Sequence, residues 1–282
     1  MNRPTREGHT FVFRAGAHKL VIDPEDGGRT IELSFEGRNA LIEKHDSPQA
    51  YGSSFWPSPQ RDWDWPPPVE LDRERWSAVV DGECLILESR ANEKLGVRAR
   101  QTIRQHETSG VVSFDYEIHN VSQRVRNVAP WQNTRVPPGG LTFFPTNADP
   151  HGHSTLTLDR SGDLGMLCHD RRRHTQSGKA FSAATEGWIA HASADLVLVK
   201  TFPSVAPGRQ APGEAEIEIY VDGGGVFVEV EQQGTYDAIP PGKSSHWSVR
   251  WLLLDGRHGS NGSPTKELVA RVRSAVREHG AS

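Results

Sequence analysis

The chain has 282 residues, 24% of them charged, and a formal net charge of −4. A balance this close to neutral provides no global basic field to recruit nucleic acid, and no apolar run reaches the roughly 18 residues of a membrane span. The polar N-terminus, MNRPTREGHT, lacks the apolar core of a signal peptide, which points to the cytoplasm. Cys84 and Cys168 sit in mostly apolar neighbourhoods and do not suggest a disulfide framework. The run Arg171-Arg172-Arg173 is short and reads as a solvated loop.

Period-2 patterns dominate. Phe11-Val12-Phe13 and Lys19 to Ile22 read as a first hairpin. Gly27-Gly28 turns into Thr30 to Phe35, with Ile31, Leu33 and Phe35 on one face, and Ala40 to Ile42 returns. Strands follow at Trp76 to Val80, Cys84 to Ser89, Val97 to Gln105 and Val111 to Asn120. Later strands are expected at Gly187 to His191, Leu196 to Phe202, Glu214 to Val221, Val226 to Gln232 and Ser245 to Leu254. Glu214 to Val221 alternates most cleanly, placing Glu214, Glu216 and Glu218 on an outer, solvated face.

One helix is expected, over 264–279. Ser263 is the N-cap candidate, Pro264 suits the first turn, and Leu268, Val272, Ala275 and Val276 form the apolar stripe. No repeat or linker divides the chain, and all-β units often run past about 200 residues as one domain. The expectation is a single all-β domain spanning 1–282, a large antiparallel sandwich closed by a C-terminal α-helix.

Three stretches carry candidate chemistry. The first runs from Gly52 to Pro68 and holds Trp56, Arg61, Asp62, Trp63, Asp64 and Trp65 between prolines. Indole faces stack on the C–H faces of sugars while bidentate polar groups hold hydroxyls. The alternative is a lid over the sandwich end with its indoles buried. The second is Ala129 to Arg135, where Trp131, Gln132 and Asn133 are placed to line the same cleft, or Trp131 marks a bulge in the core. The third is Val228-Glu229-Val230-Glu231-Gln232. Glu229 and Glu231 share one strand face, suited to acid–base work or to hydroxyl binding, or forming an ordinary solvated face.

His151-Gly152-His153 and Cys168-His169-Asp170 with His174 contain metal-ligand residue types. Neither has a structural-zinc spacing, so no metal or other cofactor is expected. No phosphate-binding or dinucleotide-binding fingerprint is present.

The segment Asp26-Gly27-Gly28-Arg29-Thr30-Ile31-Glu32-Leu33 through Gly37-Arg38-Asn39-Ala40-Leu41 resembles the opening of the galactose mutarotase-like superfamily, a G-[AG]-R strand and a hairpin ending in G-x-N-x-L. Tyr116 to Ser122 resembles its Y-x-[IL]-x-N-x-S strand. Val228 to Gln232, through Ile239-Pro240-Pro241-Gly242-Lys243, to Trp247-Ser248-Val249-Arg250-Trp251 resembles its closing hairpin. The Trp-Pro and Pro-Trp elements look closest to the DUF4380-type bacterial proteins.

The resemblance implies a β-supersandwich, similar to aldose 1-epimerases, whose concave face binds a small-molecule carbohydrate. In mutarotases a glutamate takes the proton of the anomeric hydroxyl and a histidine protonates the ring oxygen. The glutamate maps onto Glu229 or Glu231. The histidines do not carry over: Pro130-Trp131-Gln132 and Gly52-Ser53-Ser54-Phe55-Trp56 stand where the motifs would supply them. His119, His151, His153 or Lys179 remain as replacement acids. The expected site is Glu229 and Glu231 as catalytic carboxylates, with Trp56, Arg61, Trp63, Trp131, Asn133 and Lys179 binding the sugar. Three functions stay open: an epimerase, a non-catalytic sugar-binding module, and a metal-dependent sugar-modifying enzyme built on the histidine loops.

Overall fold

The computed structural model describes residues 2–147, 153–170, 172, 174–193, 195–256 and 262–280. Two antiparallel sheets of eleven and ten strands pack face to face. The first runs in the order Thr5–Glu7, Thr10–Ala15, His18–Asp23, Arg29–Phe35, Ser53–Ser58, Arg126–Val136, Val228–Gln233, Ile217–Val221 and Gly178–Ser182, with Arg38–Asn39 and Asp237–Ile239 paired off this path. The second runs Asp159–Ser161, Leu164–Cys168, Leu141–Pro145, Trp188–Ser193, Leu196–Thr201, Ser244–Asp255, Val112–Asn120, Val97–Gln105, Cys84–Glu88 and Ser77–Asp81.

Alternation along each strand supplies the main core. Phe13, Leu20, Leu33, Phe55, Ile219 and Val230 of the first sheet meet Ile103, Phe114, Leu198, Val249 and Trp251 of the second. A smaller cluster lies on the far face of the second sheet, where Phe143, Trp188, Val199 and Leu252 receive Leu268 and Val272 of the helix. The helix begins later than the sequence suggests, at Lys266, and runs to His279. Thr265, not Ser263, is its cap, because the Thr265 hydroxyl accepts the Leu268 N–H at 3.2 Å. Such a cap contributes about 1 kcal/mol. Among the described residues no helix is long and apolar enough to cross a membrane. Cys84 and Cys168 are free thiols.

The loop-like reading of Ser53–Ser58 and the alternative of a bulge at Trp131 both fail for one physical reason: the two spans are central strands. Nearly every residue in them is buried, so the polar alternation that reveals a half-exposed strand is missing. Pro57 and Pro130 even lie opposite each other in the pairing. The Pro130 carbonyl points away from Pro57 and accepts the Gly234 N–H at 2.9 Å, so the ladder between the two strands needs no N–H at that pair. The Glu214 to Val221 reading has the right faces but the wrong environment. The strand is Ile217–Val221, and Glu216 and Glu218 are buried rather than solvated.

Candidate functional site

The outer face of the first sheet, turned away from the second, carries a row of large and charged side chains. Register sets it: Ser54 pairs with Asn133 and Trp56 with Trp131, and Arg135 pairs with Glu229. Glu229 pairs in turn with Tyr220 and Glu231 with Glu218, and Lys179 pairs with Tyr220 at the sheet end. Five neighbouring strands thus present one continuous row. Above it lies a cavity of about 430 Å³ lined by Trp56, Trp65, Trp131, Asn133, Lys179 and Glu229, with Gln60, Tyr220 and Phe227 around them.

Beneath the cavity is a buried charge network. The Lys179 ammonium lies 2.5 Å from Glu218 and 3.3 Å from Glu231, two carboxylates with no exposed surface. Glu231 also accepts the Trp131 indole N–H at 2.7 Å, and Lys179 sits over the Trp131 ring, 4.7 Å from its centroid. Burial pushes the Glu218 carboxyl up to about 7 and that of Glu231 up to about 8, against the pull of Lys179. Burial alone would lower the Lys179 ammonium, but Glu218 and Glu231 outweigh it and hold it above the ordinary lysine range. Glu231 Oε1 and the Asn133 side-chain oxygen are buried and find no hydrogen-bond partner among the described residues. Arg135 closes the other end, donating to Glu229 at 2.8 Å and to the Ser54 hydroxyl at 2.7 Å, with its guanidinium 5.0 Å from the Trp56 ring centroid.

From the second sheet, Lys200 reaches under the row. Its ammonium donates to the Thr134 hydroxyl at 2.7 Å and to the Val230 carbonyl at 2.9 Å. Burial without a hydrogen-bonded carboxylate pushes it well below the ordinary lysine range.

Trp56 is held from the side. Its indole N–H donates to Asp72 at 2.8 Å, and Asp72 is paired with the buried Arg29 at 3.0 Å. Arg29 also donates to the backbone carbonyls of Tyr51 and Asp72, at 2.9 and 3.0 Å. Asp72 ends the short helix Val69–Asp72, which the sequence reading did not anticipate. Gly27 allows the close approach: it has φ +70, and a Cβ there would lie 2.2 Å from the Asp72 carbonyl oxygen.

Of the residues singled out from sequence, Trp56, Trp131, Asn133, Lys179 and Glu229 line the cavity together. Glu231 lies beneath it. Trp63 is buried behind, with ring centroids 6.0 Å from Trp56 and 6.3 Å from Trp131, and faces a separate cavity of about 360 Å³. Arg61 points to solvent beside Asp62 and lines neither cavity. Glu218, Arg135 and Lys200 were missed, although the strand alternation already placed Glu218 on the cavity side. Among the described residues no histidine lines the cavity. His119 belongs to the second sheet, bonded to Ser244 at 3.0 Å. His151, Arg171 and Arg173 lie outside the described residues. Among the described residues no three His, Cys, Asp or Glu side chains converge to hold a metal ion.

A two-sheet antiparallel sandwich of this size is the fold of galactose mutarotase-like proteins. A galactose mutarotase-like protein from Lactobacillus casei ATCC 334 superposes with a TM-score of 0.61 at 12% identity, covering 87% of this chain and 100% of the other. A putative aldose 1-epimerase from Escherichia coli K12 gives 0.58 at 12%, covering 87% and 99%. A TPR-domain containing protein from Parabacteroides distasonis ATCC 8503 gives 0.65 at 13%, covering 92% of this chain, which spans only 49% of that protein. No curated protein sequence matches. The profile described as "Domain of unknown function (DUF4380)" matches residues 58–254, and the chain belongs to that family.

Proposed function

We propose that the chain binds the ring of a neutral carbohydrate in the outer-face cavity. One observation carries this reading: Trp56 and Trp131 converge with Asn133, Lys179 and Glu229 on a single cavity. Apolar walls with a few fixed polar groups are what a sugar ring requires. Neutrality follows from the pairing, since Lys179 is already answered by Glu218 and Glu231, and Arg135 by Glu229. Among the described residues at the cavity, Lys179 and Arg135 each already have a carboxylate, which leaves neither for a phosphate or carboxylate ligand.

Epimerisation is the second reading, favoured by Glu229, the carboxylate that reaches the cavity. In it Glu229 takes the anomeric proton, or Glu231 does so from beneath, and Lys179 is the donor toward the ring oxygen. A donor held above its ordinary range gives up its proton poorly, which weighs toward binding without turnover.

Calorimetry with a broad panel of neutral sugars is expected to find a ligand, and Trp131→Ala to weaken it by about tenfold or more. Silence across the panel would refute the binding reading. Polarimetry on freshly dissolved α-aldoses tests the second reading. Acceleration that persists in both Glu229→Gln and Glu231→Gln rules out either carboxylate as the base.

A further inference from the structure

Trp65 stands apart from the other cavity residues. It is 65% exposed, whereas Trp56 and Trp131 are 2% and 1% exposed. Trp56 packs edge-on against both, at 5.4 Å from Trp131 and 6.2 Å from Trp65 between ring centroids. The indoles therefore form one aromatic wall that rises from the buried floor, through Trp56, to the solvent.

The outer end of that wall is fixed. Asp64 holds a left-handed backbone, φ 64, and its carboxylate accepts the Trp65 backbone N–H at 2.9 Å. Pro66, Pro67 and Pro68 follow and restrict the backbone, leading directly into the helix whose Asp72 holds Trp56. The backbone that carries the indole is thereby restrained on both sides. An aromatic surface carried on a restrained backbone at a cavity mouth loses less entropy when a ligand covers it than one on a free loop.

The polar groups divide along the same line. Asn133, Lys179 and Glu229 extend from central and end strands of the sheet, whereas the Trp65 side chain meets the cavity from a loop. A single ring seated over the sheet polar groups would leave much of the 65% exposed Trp65 indole in solvent.

We propose that the cleft takes a saccharide of at least two rings, the first over Asn133, Lys179 and Glu229 and the second stacked on Trp65. This rests on the carbohydrate reading and names the size class of its ligand. The exposed ring is then the platform of an outer subsite.

Isothermal calorimetry on the full chain tests this with glucose and galactose against maltose, cellobiose and lactose, each with wild type and Trp65→Ala. Trp65 is largely exposed, and a thermal melt checks that the variant folds. The expected result is that one disaccharide binds about tenfold tighter than either monosaccharide, and that Trp65→Ala removes about tenfold from the disaccharide and less than about threefold from the monosaccharide. Equal wild-type affinity for one and two rings overturns the proposal, as does an equal loss for both in the variant; the carbohydrate reading survives either result. Absence of binding by all five sugars in wild type overturns the proposal, and silence of the broad panel as well removes the carbohydrate reading with it.

Discussion

Replacing Lys179 by methionine is expected to cost about 3–5 kcal/mol of folding stability at pH 8, the range for breaking a buried ion pair from one side. The ammonium stands 2.5 and 3.3 Å from two fully buried carboxylates, Glu218 and Glu231. Methionine keeps length and packing over Trp131 but leaves both carboxylates without their cation. The loss should depend on pH. Glu218 and Glu231 have folded values raised to about 7 and about 8 from 4.5, so the native state retains protons that the unfolded chain has released. Stability from these groups therefore falls as pH rises from about 4.5 to about 8. Without Lys179 the carboxyls rise further and the fall steepens. The Lys179 ammonium is itself raised, so its contribution is present in full below 10.5 and fades only at higher pH. Urea unfolding of both proteins at pH 4.5 and pH 8 measures the difference. A deficit equal at both pH values would mean that Lys179 acts through packing alone.

Arg29→Met should be comparably damaging, again about 3–5 kcal/mol, and should also weaken sugar binding although Arg29 does not reach the cavity. The side chain is 1% exposed and its guanidinium serves three acceptors at once, the Asp72 carboxylate and two backbone carbonyls. Its loss leaves Asp72 buried with only the partly exposed Arg73 as cation, at 3.0 Å, and frees the carboxylate that holds the Trp56 indole. Arg29→Lys should rescue only part of the stability, because an ammonium cannot reproduce the planar fork. Chemical denaturation reports the first effect and calorimetry the second. Unchanged sugar affinity in a folded Arg29→Met would show that Trp56 holds its place without Asp72.

The fold was legible where strands are half buried. Val112–Asn120 alternates residue by residue, and its sequence pattern placed it to within one position. The Gly27-Gly28-Arg29 motif was legible as a signature but not as a mechanism, because its partner Asp72 lies 43 residues away from Arg29. Periodicity also gave the face of Glu218 and Glu231 correctly. It gave no sign that this face is covered, because alternation records which side a residue takes and not what lies over that side. Sequence puts Lys179 in one site with Glu231 but not with Glu218, since its five-residue strand meets Ile217–Val221 only through the sheet. Arg61 lies in a turn of 3-10 helix, Gln60–Asp62, and Trp63 caps its end, so neighbours in sequence point in different directions.

The burial of the indoles also has an optical consequence. Of eight tryptophans, seven are 7% exposed or less, and Trp65 is 65% exposed. A charged collisional quencher such as iodide stays in water and therefore meets Trp65 and little else. Native emission should divide into one small quenchable fraction and a large silent one. Any ligand that seats against the cavity mouth should abolish the quenchable fraction, whereas a ligand confined to the floor leaves it open. The unmodified chain thus carries its own reporter of how far a bound molecule extends toward solvent.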